Sequence, residues 1–330
     1  MPRHKSMTLI LTVLLAGCGG SSPAASSDLP SLNALPEFTV SGISSGAYLA
    51  GQLHVAYSAD VAGAGLVAGG PWGCADGSMA RAFGPCISGD EIDVAALSNN
   101  AAQLAAEGFI DSLANLAGDK VFLFHGEQDV VVPAAVSNKA AAWYQSVAPG
   151  SEVAVVDNIP ATHGWPTVAS GVPCGEFAEP WINACGYDLA GEMLQHLLGP
   201  LNEPVDDVSA LNRFSQAPFK ASSMGEEGLL FVPPKCENGL RCRVHVMLHG
   251  CNQAESQIGP VLAEQSGLLR WAAANDLIVL FPQAEASNIA PMNPLACWDW
   301  WGYSGANYLH KEGAQVQAIR AMVARLQDAG

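Results

Sequence analysis

Residues 38–52 read FTVSGISSGAYLAGQ. Phe38 to Gly42 has the β-branched and aromatic character of a strand, and Ala47 to Tyr57 has the composition of a helix. Between them lies Gly42-Ile-Ser44-Ser-Gly46. A serine flanked by glycines at a strand-to-helix junction is the signature of a nucleophile on a sharp turn. The chain has 34 glycines in 330 residues, so the motif by itself is weak. The elements around it decide whether Ser44 is a nucleophile.

Working outward, strand-like and helix-like segments alternate along the whole chain. Strands are expected at 63–68, 120–124, 152–156, 228–232, 244–248 and 277–281. Helices are expected at 99–116, 134–146, 190–198, 262–275 and 315–326. The stretch from Asn202 to Glu227 is polar and weakly periodic, as a linker would be. Short apolar runs such as Lys120-Val-Phe-Leu-Phe124 are the kind that parallel sheets bury on both faces. The fold class is therefore α/β, with a mostly parallel central sheet and helices on both faces.

A serine nucleophile needs a base, and the base needs an orienting acid. Asp129 lies in His-Gly-Glu-Gln-Asp, directly after the strand that ends at Phe124. His163 lies in Ala-Thr-His-Gly-Trp-Pro, after the next strand. Ser44, Asp129 and His163 thus follow the nucleophile–acid–base order of α/β-hydrolases, each just past a strand. The other histidines fit less well. His125 precedes the acid and shapes its loop. His196 sits within a helix. His245 and His249 flank a strand, about 13 Å apart along it, and no H-E-x-x-H motif is present, so metal chemistry is not expected. No cofactor is expected either.

The oxyanion hole needs two converging amides. One is that of Ser45. The second ordinarily comes from a His-Gly loop after a strand that precedes the nucleophile. Here such a loop appears only at "VHVMLHGC", Val244 to Cys251, about two hundred residues later. A circularly permuted α/β-hydrolase fold, in which the usual first half follows the second, accounts for that order and makes Cys251 the second donor.

The charge of −17 and pI near 4.6 argue against nucleic acid, which needs clustered Lys and Arg. Arg3, His4 and Lys5 precede a short apolar run, Met7 to Leu15, and then Leu-Ala-Gly-Cys18. This reads as a lipoprotein signal peptide over 1–17, with Cys18 lipidated, a flexible tether over 18–36 and one catalytic domain over 37–330. The chain is expected to be exported as a monomer and either held at the outer membrane or cell surface through that anchor or released extracellularly. Of nine cysteines, eight remain after Cys18, an even number that suits an oxidising compartment. Local spacing suggests Cys74–Cys86, Cys174–Cys185 and Cys236–Cys242, and elimination leaves Cys251–Cys297, one of many pairings open to eight cysteines.

Five separated blocks, "GISSGAYLAGQLHVAYS", "AGGPWGC", "VHVMLHGCNQ", "FPQA" and "CWDWWGY", together resemble the single-domain, circularly permuted extracellular poly(3-hydroxybutyrate) depolymerases. The resemblance covers about Phe38 to the C-terminus. It implies a serine esterase acting on that polyester or its oligomers. It also implies the triad Ser44, Asp129 and His163, the oxyanion amides Ser45 and Cys251, and Trp300 lining the substrate crevice. The chain differs from the fungal pattern in its lipobox and in carrying Tyr303 where a tryptophan is usual. Trp298, Trp300, Trp301 and Tyr303 also form an aromatic cluster by themselves. Strand-like alternation there would put Trp298 and Trp300 on one face and Trp301 on the other, available to an apolar polyester. Two other readings stand beside this one: an esterase for other short-chain, aromatic or synthetic polyesters, and a non-catalytic surface lipoprotein that binds polymer through its tryptophans.

Overall fold

Strand β1 (Phe38–Ile43) carries the serine motif at its C-terminal end, and in the computed structural model it lies in the middle of an eight-stranded sheet. The structure describes residues 27–208, 210–219 and 221–330. The signal region 1–17, Cys18 and the tether up to residue 26 lie outside the described residues. Strands β2 (Val61–Val67), β3 (Lys120–Gly126) and β4 (Glu152–Ile159) extend the sheet to one side of β1. Strands β5 (Trp165–Thr167), β6 (Val172–Pro173) and β7 (Ile182–Ala184) form a separate small sheet beside it. Strands β8 (Asn212–Ser215), β9 (Glu227–Phe231), β10 (Arg243–Leu248) and β11 (Leu277–Phe281) complete the large sheet.

Its order is β4-β3-β2-β1-β10-β11-β9-β8. Pairing is parallel from β4 through β11, and β9 and β8 add an antiparallel edge. The two strands flanking β1 are thus β2, which follows it directly, and β10, which comes some two hundred residues later.

Successive residues of a strand face opposite sides of the sheet, and both sides are buried here. Val244, Val246 and Leu248 join one core with Leu49, Leu53, Trp143 and Met322. Met247 faces the other way, into a second core with Met193, Leu194, Leu268 and Trp271. The helices Ser45–Ala56, Ala134–Val147 and Ala314–Gln327 cover the first face; Leu189–Leu198 and Leu268–Ala274 cover the second.

Four sequence expectations change. The helix expected at 99–116 runs from Val94 to Ala106. It starts early because the Asp93 side chain caps it by accepting from the Ala96 amide, and it stops before Gly108, whose φ of 80° leaves the helical region. The helix expected at 262–275 is two, Val261–Gln265 and Leu268–Ala274, separated at Gly267 with φ 88°. The polar stretch 202–227 contains the edge strand β8. The part of the tether at 27–36 is held in place: Leu29 and Ala34 are buried, Leu32 and Ala34 amides donate to Leu326, and the Leu35 amide donates to Cys242. Composition suited a tether, but two apolar side chains and a set of free carbonyls on the last helix secure the backbone. The disulfides Cys74–Cys86, Cys174–Cys185, Cys236–Cys242 and Cys251–Cys297 are closed.

Candidate active site

Parallel strands deliver their C-terminal ends to one edge of a sheet, where loops from β1, β3, β4 and β10 meet. Ser44 is the residue between β1 and the Ser45–Ala56 helix. Its φ of 55° and ψ of −119° lie outside the regions that non-glycine residues favour, at a cost on the order of 1–3 kcal/mol. The turn is fastened on both sides: the Ser44 amide donates to Val67, and its carbonyl accepts from Ala47 and Tyr48. The flanking glycines have a steric reason. A methyl group on Gly42 would overlap the Gly46 carbonyl, and one on Gly46 would overlap the carbonyls of Leu248 and His249. The turn therefore presses directly against the end of β10.

Asp129 follows β3 in a loop laced to the one after β4. Glu127 and Gln128 amides donate to Ile159 and Ala161, and Gly126 leaves no room for a side chain beside Ala161. Both oxygens of the buried Asp129 carboxylate are engaged. Its Oδ1 accepts from the Val131 and Val132 amides at 2.8 Å each, and its Oδ2 accepts from His163 Nδ1 at 2.8 Å. Because a carboxylate only accepts, Nδ1 carries a proton, and in the neutral ring Nε2 is then the nitrogen with the lone pair. His163 itself is 8% exposed, and its ring meets the edge of Phe177.

On the other side, Gly250 comes within van der Waals reach of Ser44: a methyl there would lie 3.4 Å from Ser44 Cβ. Cys251 follows, tied to Cys297. The neighbouring Trp298 amide donates to Ser45 Oγ at 3.3 Å. Ser44, Ser45, His163 and Cys251 all line one cavity of about 340 Å³, a size suited to a small-molecule site. Its walls are mostly apolar, with Tyr48, Phe83, Phe177, Trp181, Leu295 and Trp300 prominent. A larger cavity of about 400 Å³, around Phe38 and Arg243, opens at the opposite end of β1 and shares none of these residues.

The aromatic cluster behaves differently from its strand-like reading. Residues 297–303 form no strand. The buried Asp299 carboxylate instead gathers the amides of Gly302, Tyr303 and Ser304 into a turn. Trp300 reaches the cavity and stacks on Tyr48 with ring centroids 4.3 Å apart. Trp298 and Trp301 are buried away from the cavity lining, and Tyr303 is held by Cys297 and Gln315. Of the four aromatic candidates only Trp300 lines the site. The other candidate histidines do not line this cavity. His245 is buried between the hydroxyls of Thr39 and Ser41, and burial pushes it down to about 3. His125 is lowered by burial too. His196 contacts the Glu152 carbonyl. Among the described residues no cluster of three His, Cys, Asp or Glu side chains has metal-holding geometry, and no helix is long and apolar enough to cross a membrane.

No protein-family model matches the chain. A polyhydroxybutyrate depolymerase of Talaromyces funiculosus is 34% identical over 330 residues, spanning 93% of this chain and 94% of its own length. The chain belongs to the polyhydroxybutyrate depolymerase family. A poly(3-hydroxybutyrate) depolymerase of Delftia acidovorans is 40% identical over 321 residues. The match takes in 94% of this chain but 64% of that longer relative. Two solved depolymerase structures superpose on it. One, from Penicillium funiculosum, has a TM-score of 0.84; the other, a serine-to-alanine variant complexed with an R3HB trimer, has 0.85. Each is 32% identical and spans 91% of this chain and 99% of its own.

Several residues of this depolymerase-family cavity had no sequence signal. Tyr48 read only as part of the helix after Ser44. Phe177 and Trp181 lie on the segment of the small sheet, which no periodicity announced. Leu295 lies in a Pro-broken stretch, IAPMNPLACW, that has no regular period. The one available hint was the cysteine pair Cys174–Cys185, which marks 175–184 as a closed loop standing next to His163.

Proposed function

We propose that this protein is a serine ester hydrolase that cleaves poly(3-hydroxybutyrate) or its oligomers through an acyl-enzyme. The observation that carries the reading is the joint placement of the strained Ser44 and the Asp129-bonded His163 on one apolar cavity. His163 Nε2 takes the Ser44 proton as Oγ attacks the ester carbonyl. The imidazolium that results is stabilised by the Asp129 carboxylate on Nδ1, and the two amides on Asp129 Oδ1 keep that carboxylate from turning. The amides of Ser45, at the N-terminus of its helix, and Cys251 receive the oxyanion. His163 then protonates the leaving alkoxide. Water then enters and gives a proton to the same nitrogen as its oxygen bonds the acyl carbon; the acyl–Oγ bond breaks, His163 returns that proton to Ser44, and the acid leaves.

The apolar walls suit an uncharged polyester, and Trp300 stacked on Tyr48 offers a flat surface to its methyl-bearing chain. The names of the relatives and the bound trimer of the structural neighbour support the same substrate class. The strand order, with β10 and β11 supplied after the triad strands, is accounted for by a circularly permuted α/β-hydrolase. Four disulfides suit an exported protein. Anchoring through Cys18 is the further part of this reading, and Cys18→Ala is expected to move the protein from the membrane fraction to the medium.

The test is release of 3-hydroxybutyrate from a suspension of amorphous polymer, wild type beside Ser44→Ala. Release that vanishes in the variant supports both chemistry and substrate. Intact polymer together with Ser44-dependent cleavage of a short soluble ester overturns the substrate and keeps the chemistry. Inertness toward both overturns the enzyme reading.

A further inference from the structure

The loop that ends β10 contains more polar architecture than a strand end requires. His249 is buried, 2% exposed, and both of its ring nitrogens meet backbone groups. Nδ1 lies 2.7 Å from the Gly250 carbonyl oxygen, and Nε2 lies 3.1 Å from the Ala284 amide. A carbonyl can only accept and an amide can only donate, so the ring is neutral, with its proton on Nδ1 and its lone pair on Nε2. Burial, which pushes His249 down to about 4, keeps it neutral over the working range. The Trp298 ring lies beside it, tilted by 40° with centroids 5.0 Å apart.

The Gly250–Cys251 peptide is trans, since the cis bonds among the described residues precede Pro180 and Pro291. In a planar trans peptide the C=O and N–H vectors point in opposite directions. A proton donor fixed on the Gly250 oxygen therefore aims the Cys251 N–H away from His249. Cys251 lies on the cavity that Ser44 and Ser45 line, so away from the buried imidazole is toward the reacting centre. Gln253 holds the preceding group: its Oε1 accepts from the Gly250 amide at 2.9 Å, and its Nε2 donates to Pro180 and Trp181. Gly250 has no side chain because a methyl group would press on that Gln253 oxygen.

We propose that His249 is a positioning residue for ester hydrolysis: its Nδ1–H holds the Gly250–Cys251 peptide so that the Cys251 amide faces the oxyanion. Gln253 secures the loop on both sides of Gly250: its Oε1 holds the preceding His249–Gly250 peptide, its own amide also donates to the Gly250 oxygen at 3.2 Å, and its Nε2 couples the loop to the Pro180–Trp181 wall. This rests on the serine esterase reading above, with Cys251 as an oxyanion donor. His249 touches no substrate and exchanges no proton during the reaction.

The test uses two substitutions that divide the functions of the two ring nitrogens. His249→Asn keeps a donor near the Nδ1 position and loses the acceptor for Ala284. His249→Gln keeps an acceptor near the Nε2 position and loses the donor to Gly250. Each is measured for kcat and KM on a soluble short-chain ester, for melting temperature, and for inhibition by an alkyl boronic acid, whose serine adduct is a tetrahedral anion.

The expected result is a kcat reduced roughly 10- to 100-fold in His249→Gln, part of the 10²–10³ that loss of a whole oxyanion donor costs. KM stays nearly constant, and the boronic acid weakens by a similar factor. His249→Asn recovers most of kcat although it too loses a buried hydrogen bond. Equal losses of kcat in the two variants, or loss only in proportion to melting temperature, overturn the positioning role. If His249→Gln does not fold, Gln253→Met carries the comparison by freeing the adjoining His249–Gly250 peptide, and a wild-type kcat there overturns the proposal. A wild type that the boronic acid does not inhibit, with Ser44→Ala still active, overturns the esterase reading itself and is distinguishable from the outcomes above.

Discussion

Two glycines on the helix that follows Ser44 give opposite answers to the same substitution. A Cβ on Gly46 would overlap the carbonyl oxygens of Leu248 and His249 and lie 2.7 Å from the Leu248 carbonyl carbon. Ordinary contact begins near 3.4 Å, so the end of β10 or the start of the helix must yield by more than half an ångström. Helix propensity favours alanine by about 1 kcal/mol. Overpacking against backbone costs about 1–3 kcal/mol, and backbone cannot rotate away as a side chain can. The net loss of stability is up to about 2 kcal/mol, which a well-packed domain survives. On the proposed mechanism the effect on chemistry is larger, because the displacement separates the amides of Ser45 and Cys251, the two proposed donors to one oxygen. Loss of one such donor costs about 3 kcal/mol, or 10²–10³ in kcat, with little change in KM. Gly51→Ala is the control on the same helix. Its Cβ would meet only side-chain atoms of Leu66 and Tyr144 at 3.9 Å each. It is expected to raise stability by up to about 1 kcal/mol and leave kcat alone. The assay is kcat and KM on a soluble ester with calorimetric melting of both variants. Gly46→Ala with a wild-type kcat, or both variants losing activity alike, refutes the steric reasoning.

Asp129→Asn leaves the Val131 and Val132 bonds available but loses the charge on His163 Nδ1; kcat is expected to fall on the order of 10⁴, with a native circular-dichroism spectrum. Asp299→Ala strips the acceptor from the amides of Gly302, Tyr303 and Ser304. It should cost about 3 kcal/mol and raise KM through a loosened Trp300, an effect that titration with a soluble oligomer would detect. Burial holds His245 near 3, against 6.5 for the free side chain. The unfolded chain therefore binds one more proton than the native one in that window. The contribution of His245 is complete above pH 6.5 and is lost as pH falls toward 3, at about 1.4 kcal/mol per pH unit. His245→Asn, melted across pH 7 to 4, should show a shallower loss than wild type; an unchanged slope counts against the burial argument.

The order Ser44, Asp129, His163 was legible because each follows a strand, and parallel strands place such residues at one edge whatever lies between them. The strands themselves were legible from their apolar runs; "LIVLF" is β11 to the residue. The disulfide pairs were legible where the loop closed is short, and elimination supplied the fourth. Beyond that the local pattern was insufficient. Alternation along Cys297 to Tyr303 placed Trp298 beside Trp300, and it fails because one buried carboxylate, Asp299, turns the chain there. Residues 27–36 have a tether's composition, but two apolar contacts and the carbonyls of the last helix hold them. The cavity walls, Tyr48, Phe177, Trp181 and Leu295, come from four separate segments, and nothing local to any one of them marks the others. The sequence by itself marked Ser44, Asp129 and His163 as the groups proposed to do the chemistry, because chemistry needs particular side chains at particular element ends. Tertiary structure decided the shape of the cavity around them and the close meeting of the Ser44 turn with the loop after β10, because both depend on contacts between residues far apart in the chain.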